Sequence, residues 1–323
     1  MPRGPRDHAR GVRVAGGMSA STSADEPRPA PDIADAPTML LSGRDIRELA
    51  EAGGVHPSKQ RGQNFLTDPN TVRAIVERAG IGQGDRVLEV GPGLGSLTLG
   101  LLEAGASVAA VELDRALAQM LPLTLRARGI PEDRFALVHA DALAITELPS
   151  LPGGAPDRFV ANLPYNVATP ILLTLLGRFP GLRTAFVMVQ AEVVDRLVAA
   201  PGSRVYGAPS VKTAWYGRAE RTGTVSRQVF WPVPNVDSSL VQVTRREEPL
   251  GTDAEREATF AVIDAAFAQR RKMLRPALAA WAGGAARAEE ILRGAGIDPT
   301  RRGETLEVAD FLAIARAAQG APA

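Results

Sequence analysis

Cysteine is absent from this 323-residue chain, and histidine occurs only at His8, His56 and His139. Without cysteine the protein forms neither a disulfide bond nor a thiol nucleophile. Three scattered histidines also give no support to a zinc site of the Cys/His kind or to a Ser-His-Asp triad. We therefore expect no bound metal, and neither a serine hydrolase nor a metallohydrolase.

Long apolar runs are lacking as well. No stretch approaches the about 18 consecutive apolar residues of a membrane-spanning helix, and the N-terminus has no apolar core typical of a secretory signal. The motif G-x-x-x-x-G-K-[ST], which holds the phosphates of ATP or GTP in P-loop proteins, does not occur. We therefore predict a cytoplasmic protein that has no membrane partner and does not hydrolyse nucleoside triphosphates.

The overall composition is that of a globular protein, with 45% hydrophobic and 23% charged residues. The length predicts one large or two modest domains. Residues 1–37 are rich in Arg, Pro, Ala and Ser and show no apolar periodicity, so they are predicted to form a disordered tail. Because 37 basic residues nearly balance 36 acidic ones, any nucleic-acid partner has to be sought in local clusters of charge.

Beyond this tail, short apolar runs alternate with helical stretches, which is typical of a parallel βαβ sheet. Ser42 and Asp68 are predicted N-caps of two leading helices. The predicted strands are Arg86–Val90, Ser107–Glu112, Phe135–Ala140, Arg158–Asn162 and Thr184–Val189. The predicted helices between and after them are Ser96–Ala104, Arg115–Arg128, Thr169–Arg178 and Glu192–Ala200. Two later β-rich runs, Val211–Tyr216 and Ser239–Arg245, predict an antiparallel edge.

The pattern changes again after residue 250, where Ala-rich helical periodicity takes over. We therefore predict an α/β domain over residues 38–250, which carries the ligand sites, and a small all-helical domain over residues 251–323.

A glycine-rich turn, GPGLG from Gly91, follows the first predicted strand of the sheet and precedes a helix. Glycines allow close backbone approach to a ligand, and the helix N-terminus offers free N–H groups. The spacing G-x-G-x-G differs from the G-x-G-x-x-G of dinucleotide folds. Glu112 ends the next strand, where a carboxylate suits a ribose diol; a solvated charge is the alternative. Together these features indicate a nucleoside cofactor without a pyrophosphate, and S-adenosylmethionine fits.

Asp141 follows the third predicted strand and adds a second carboxylate. Ligands of open α/β sheets bind outside the carboxyl ends of the strands, so Gly91, Glu112 and Asp141 are expected to converge there. Asp141 is a candidate partner for the adenine amino group of the cofactor. The alternative, an N-cap for the segment from Ala142, is compatible with that role.

The fourth predicted strand ends in Asn-Leu-Pro-Tyr, residues 162–165. Methylation of an adenine amino group needs acceptors that hold its N–H bonds and draw the lone pair out of the ring. The side-chain oxygen of Asn162 and the carbonyl of Leu163 are candidates, and Asn162 is also a candidate contact to the cofactor. Pro164 restricts the backbone, and Tyr165 offers a ring face for stacking. No titrating base is required, because the proton leaves readily after alkylation; a plain turn is the alternative.

With these motifs the chain resembles the ribosomal RNA small-subunit adenine dimethyltransferase family. Three further segments carry the likeness, namely Lys59–Leu66, Met188–Leu197 and Val229–Ser238. The resemblance covers about residues 42–316. It implies a Rossmann-like, class I S-adenosylmethionine-dependent methyltransferase with a C-terminal helical domain. It also implies dimethylation of N6 of two adjacent adenosines in the 3′-terminal hairpin loop of 16S rRNA, within an assembling 30S subunit; we expect a monomer.

The resemblance also implies roles for residues outside the strand ends. Asn64 and Leu66 would line the methionine end of the cofactor, and Phe230 would clamp the target base opposite Tyr165, as enzymes do with extruded bases. Plain packing is the alternative for Phe230. The chain departs from the family at Ala191 and Asn235, where lysine is usual, and so lacks two candidate phosphate contacts.

Clusters of basic residues predict contact with RNA. Residues 270–275 carry four cations and no acid: Arg270, Arg271, Lys272 and Arg275. A second group comprises Lys212, Arg218, Arg221 and Arg227. A solvated surface is the alternative for each charge run, but beside a base-methylating site we favour phosphate binding.

Two other functions stay open at this point. The large-subunit adenine methyltransferases that confer antibiotic resistance share the Q-N-F and N-x-P-Y motifs. They would lack the helical-domain signatures of the small-subunit family, which Arg270–Arg275 and Arg301–Leu306 resemble in this chain. The protein could also act mainly as an RNA-binding assembly factor on a methyltransferase fold.

Overall fold

The computed structural model describes residues 39–57 and 62–320. The predicted tail, residues 1–37, lies outside the described residues, as does the beginning of the Lys59–Leu66 segment. None of the helices in the described ranges combines the length and apolarity that a membrane crossing requires.

A seven-stranded sheet lies at the centre of the described chain. Its strands are β2 Arg86–Val90, β3 Ser107–Glu112, β4 Phe135–His139, β5 Arg158–Asn162, β6 Thr184–Gln190, β7 Gly217–Val225 and β9 Ser238–Arg245, in the order β4-β3-β2-β5-β6-β9-β7. The first five in this order are parallel, and β9 and β7 are antiparallel additions. A separate antiparallel ribbon joins β1 Phe65–Leu66 to β8 Phe230–Trp231. The predicted α/β class with a mostly parallel sheet is confirmed.

The strand order reverses between β2 and β5. From β2 the chain proceeds outward through β3 to β4, and it then returns to place β5 on the other side of β2. The loops after β2 and β5 therefore leave the sheet in opposite directions and open a crevice between them. Ligands of open α/β sheets bind at such a switch point.

Eleven α-helices lie in the described residues, and those predicted before residue 201 begin and end close to the predicted positions. They are α1 Gly43–Ala52, α2 Pro69–Arg78, α3 Ser96–Glu103, α4 Arg115–Ala127, α5 Ala168–Arg178, α6 Ala191–Leu197, α7 Ala208–Tyr216, α8 Asp253–Ala268, α9 Leu274–Ala282, α10 Ala285–Gly294 and α11 Val308–Gly320. Both predicted N-caps are confirmed, because the side chains of Ser42 and Asp68 accept hydrogen bonds from the first turns of α1 and α2.

The prediction of a strand at Val211–Tyr216 is wrong, because this segment is the end of α7 and the edge strand begins at Gly217. The helix starts at Ala208, and Pro209 is the second residue of its first turn. The N–H of Gly207, the residue before the helix, donates to the Ser210 hydroxyl at 3.0 Å. Alternating apolar residues mimic a strand here, but they pack against α8. The predicted antiparallel edge is present, with β7 in place of the predicted run.

The C-terminal helices share a core with the sheet. One cluster of buried residues includes Val241 and Val243 of β9, Val262 and Ile263 of α8, and Phe311 of α11. The segment after residue 250 is helical as predicted, and its division from residues 38–250 as a separate domain stays a prediction.

A buried hydrogen bond also joins the loop before α7 to the C-terminal segment. The Tyr206 hydroxyl donates to the Leu306 carbonyl at 2.7 Å, and burial raises the pKa of this phenol to about 12, so it keeps its proton. Tyr206→Phe should lower the free energy of unfolding by about 1 kcal/mol. Urea denaturation measures the change, and an unaltered midpoint would show that the bond contributes nothing.

Candidate active site

The carboxyl ends of β2, β3, β4 and β5 open into one cavity of about 700 Å³. All six predicted cofactor residues line it: Asn64, Leu66, Gly91, Glu112, Asp141 and Asn162. Four of them follow or end four neighbouring strands, and the other two come from the segment around β1. The cavity therefore lies at the switch point of the sheet, where the strand order predicts a ligand.

The glycine-rich turn after β2 has a backbone that other residues would strain. Gly91, Gly93 and Gly95 have φ values of 68°, 59° and 98°, in the left-handed region. A Cβ atom at Gly93 would also lie 2.9 Å from the Phe65 ring. The turn leads into α3, and the Ser96 hydroxyl at its start donates to the Leu66 carbonyl at 2.6 Å. This bond fastens β1 to the turn and forms one wall of the cavity.

Glu112 is buried at the end of β3, with 5% of its surface exposed. One carboxylate oxygen accepts the Gly93 N–H at 3.1 Å, and the other accepts the Asp114 N–H at 2.9 Å. Burial nevertheless raises the pKa of this carboxyl. The alternative of a solvated charge is therefore wrong. Each oxygen keeps a lone pair with which to accept a ribose hydroxyl.

Asp141 is exposed at the rim of the cavity. Its Oδ1 accepts the Leu143 N–H at 2.9 Å within a turn over residues 142–144, and since no helix begins there the helix N-cap given above as the alternative is wrong. The second oxygen is not used in this turn. Its contact with adenine stays a prediction.

The side chain of Asn162 is oriented by a long-range hydrogen bond. Its amide nitrogen donates to the Asn64 carbonyl at 3.0 Å, which leaves Oδ1 as the acceptor of this side chain. The next residue, Leu163, has its N–H bonded to the Met188 carbonyl of β6 at 3.1 Å. The Asn162 side chain and the backbone of Leu163 are thus both held at the end of β5.

The two predicted aromatic residues are placed differently. Tyr165 is half-buried, and its hydroxyl lies 2.7 Å from the Ser238 hydroxyl at the start of β9. Phe230 is only 2% exposed, pairs with Leu66 across the small ribbon and does not line the cavity. The structure therefore favours the packing alternative for Phe230. A clamp on the target base requires this ring to leave its place and stays a prediction.

Comparison of the sequence with known proteins identifies the family. A model described as ribosomal RNA adenine dimethylase matches residues 56–319. The ribosomal RNA small subunit methyltransferase A of Streptomyces griseus is 60% identical over 281 residues, which are 86% of this chain and 95% of that protein. The chain belongs to the ribosomal RNA adenine dimethylase family. A protein of the same name from Leifsonia xyli is 59% identical and covers 85% of this chain and 98% of its own.

Solved structures share the fold. A dimethyladenosine transferase from Plasmodium falciparum superposes with a TM-score of 0.64 at 22% identity, covering 77% of this chain and 95% of that one. The 23S rRNA methyltransferase ErmE superposes with a TM-score of 0.56 at 26% identity, covering 79% and 99%. Both superpositions agree with the predicted class I methyltransferase fold.

S-adenosylmethionine is the cofactor of this adenine dimethylase, and the cavity fits it. The volume lies within the range of small-molecule sites. A Cβ atom at Gly91 would meet no atom nearer than one of Pro164 at 3.9 Å, so the space beside the start of the turn is open to a ligand. Glu112 is placed for the ribose diol. When bound, the cofactor supplies an electrophilic methyl group on a sulfonium.

Sequence reasoning overlooked Glu89 on β2. This carboxyl lines the cavity, is 1% exposed and accepts a hydrogen bond from the Thr98 hydroxyl of α3 at 2.7 Å. Burial, together with repulsion from Glu112, raises its pKa to about 8. The signal in the sequence was an acidic residue among the apolar residues 87–90 of β2, VLEV.

The predicted RNA-binding cations are partly neutralised by acids from elsewhere in the fold. Arg270 pairs with Glu304 at 3.1 Å, and Arg275 pairs with Glu289 at 3.0 Å. Arg271, in contrast, is exposed, as is its neighbour Lys272.

The second basic group is neutralised to a greater extent. Its ion pairs are Lys212 with Asp264, Arg218 with Glu220, and Arg221 with Asp195. This group is therefore a weaker candidate for phosphate binding than Arg271 and Lys272.

The raised pKa of Glu89 predicts a pH-dependent stability. Between the ordinary value of 4.5 and about 8, the unfolded chain loses this proton while the folded chain keeps it. The free energy of unfolding should therefore fall with rising pH across this window and level off above it. Glu89→Gln cannot titrate, so above pH 8 it should be more stable than the parent by a few kcal/mol, on the order of the pKa shift.

Urea denaturation between pH 5 and pH 9 measures this effect. Glu77→Gln, which changes an exposed carboxyl of α2, serves as the matched control and should follow the parent. If Glu89→Gln and the parent show the same pH profile, the buried carboxyl does not hold its proton as described.

Proposed function

We propose that this protein transfers methyl groups from S-adenosylmethionine to N6 of two adjacent adenosines in the 3′-terminal hairpin loop of 16S rRNA. The product is N6,N6-dimethyladenosine. The observation that carries the proposal is the amide of Asn162, whose nitrogen is bonded to the Asn64 carbonyl and whose oxygen is left for an incoming N–H group. The side chain lines the cofactor cavity at the switch point.

Methyl transfer requires the adenine amino nitrogen, a weak nucleophile, to become reactive. The N6 lone pair of adenine is delocalised into the ring, and two acceptors that hold the N–H bonds favour the pyramidal nitrogen of the transition state. The Asn162 Oδ1 accepts one N–H, and the Leu163 carbonyl accepts the other. Pro164 keeps the preceding Leu163 extended, because the proline ring disfavours a helical conformation there.

Methyl transfer forms the N6–carbon bond as the sulfur–carbon bond breaks, with the bonding electrons staying on sulfur. The nitrogen then carries a positive charge and an acidic proton, which passes to water. Positioning and electrostatics therefore suffice, and no side chain with a pKa tuned for base catalysis is required. A second donor molecule repeats the step on the monomethylated nitrogen.

The small subunit is the better candidate for the substrate. The relatives that are about 60% identical are named for the small subunit, whereas the 23S enzyme ErmE is 26% identical. An RNA-binding assembly factor is a weaker candidate, because the site around Asn162 retains its acceptors. The proposal includes an assembling 30S subunit as partner, a monomeric protein and a reaction in the cytoplasm.

The RNA contact lies between α8 and α9 in this proposal. Arg271 and Lys272 are exposed there and supply the phosphate contacts. Arg270 and Arg275 flank them, and they can join only by releasing Glu304 and Glu289.

Asn162→Ala tests the proposed acceptor. Removing Oδ1 should lower methyl transfer to small subunits by roughly 100-fold or more, as loss of a preorganised transition-state contact does. Transfer of labelled methyl groups, mapped on 16S rRNA by mass spectrometry, measures the effect.

Asn70→Ala, which changes an exposed asparagine of α2, is the control and should retain full activity. Calorimetry should show that Asn162→Ala still binds the cofactor. Undiminished transfer by Asn162→Ala would overturn the proposed mechanism. Methylation of the large subunit alone by the parent would overturn the proposed substrate.

A double variant tests the RNA contact. Each phosphate contact contributes about 0.7 to 0.9 to the slope of log affinity against log salt concentration. Arg271→Ala with Lys272→Ala should therefore flatten the slope by about 1.5. Arg44→Ala with Arg47→Ala, on the mixed-charge surface of α1, is the matched control. Equal slopes for the two double variants would count against the contact.

A further inference from the structure

The Glu89 carboxyl has one hydrogen-bond partner within the part of the chain that the structure describes. The Thr98 hydroxyl donates to Oε2 at 2.7 Å, and it is the one hydrogen-bond donor to this carboxyl among the described residues. The side chain is 99% enclosed, yet it lines the cofactor cavity. A carboxyl that is enclosed to this degree and still forms part of the cavity wall is placed to meet a ligand there.

Among the described residues, no positive charge shifts the pKa of Glu89. From β3, the carboxyl of Glu112 repels it; from α3, the neutral Thr98 contacts it. The other charged side chains that line the cavity are Asp114, Arg115 and Asp141. Among the described residues, Glu112 is the one charge that shifts the pKa of Glu89, and it shifts the value upward.

The methyl donor and its product differ in charge. The donor carries a sulfonium, an ammonium and a carboxylate, whereas the product has lost the positive charge on sulfur. A cation near a buried carboxyl favours the ionised form, and a neutral thioether does not. The same cavity therefore offers the two molecules different electrostatic energies, depending on the state of Glu89.

We propose that Glu89 makes the site selective for the cationic methyl donor over its demethylated product by changing its protonation with the charge on sulfur. Binding of the donor releases the Glu89 proton to solvent and leaves a carboxylate facing a cation. After methyl transfer, the carboxylate takes up a proton from solvent, and the product is held less tightly. The exchange is balanced, since one proton leaves on binding and one returns after transfer.

This inference depends on S-adenosylmethionine as the donor, which holds for the family. It does not depend on which RNA is methylated. A binding experiment without RNA therefore separates its failure from a failure of the proposed function.

Calorimetric titration at pH 7 in phosphate and in Tris tests the inference, because the two buffers differ in ionisation enthalpy. The parent should release about one proton on binding S-adenosylmethionine and clearly less on binding S-adenosylhomocysteine. Glu89→Gln should release the same small amount with both ligands. Its preference for donor over product, the ratio of the two Kd values, should fall about tenfold, as a pKa change of one unit implies.

Two further variants control for folding and for local charge. Glu77→Gln removes an exposed carboxyl of α2 outside the cavity and should retain the difference in proton release. Thr98→Val keeps the Glu89 carboxyl but removes the donor that favours its charged form, so the pH midpoint of proton release should rise. This second variant carries the test if Glu89→Gln fails to give a cooperative thermal transition.

Equal proton release by the parent with the two ligands would overturn the inference. So would a Glu89→Gln variant whose proton release and Kd ratio match those of the parent.

Discussion

The hydrogen bond from the Asn162 amide nitrogen to the Asn64 carbonyl is the contact on which the site depends. It joins the end of β5 to the segment before β1, and it occupies the amide nitrogen of the Asn162 side chain. Because the nitrogen is taken, an oxygen remains to meet an amino group. An Asn162 side chain that could rotate freely would present its NH₂ donor and its oxygen acceptor equally, and it would not select an amino group of a base.

The sheet makes this contact effective by bringing other strand ends to the same place. The glycine turn after β2 gives backbone access, and carboxyl groups from β2, from β3 and from the end of β4 lie around the cavity. Two of these carboxyls, Glu89 and Glu112, are buried, and burial raises the pKa of each. A cavity of this kind favours a cationic ligand, and the donor of this family is one. The fold thus accounts for both the position and the charge of the cofactor site.

Local signals in the sequence predicted much of this arrangement. The bounds of β2, β3 and β5 are those expected, because a buried parallel strand is a short apolar run between clear turn signals. The strand predicted at Val211–Tyr216 is wrong, since alternation of apolar residues also fits a short helix packed on one side. Local patterns do not reveal which partner an element meets.

Long-range contacts were therefore the main part that sequence could not supply. The ion pair of Arg270 with Glu304 joins residues far apart in the chain, and no residue near Arg270 in the sequence indicates this contact. The burial of Phe230 depends on its pairing with Leu66. The most direct test of the central claim is a crystal structure with S-adenosylhomocysteine and an adenosine-containing RNA. The account predicts the Asn162 Oδ1 within hydrogen-bonding distance of N6, with its nitrogen still on the Asn64 carbonyl; an Asn162 side chain turned away from N6 would contradict it.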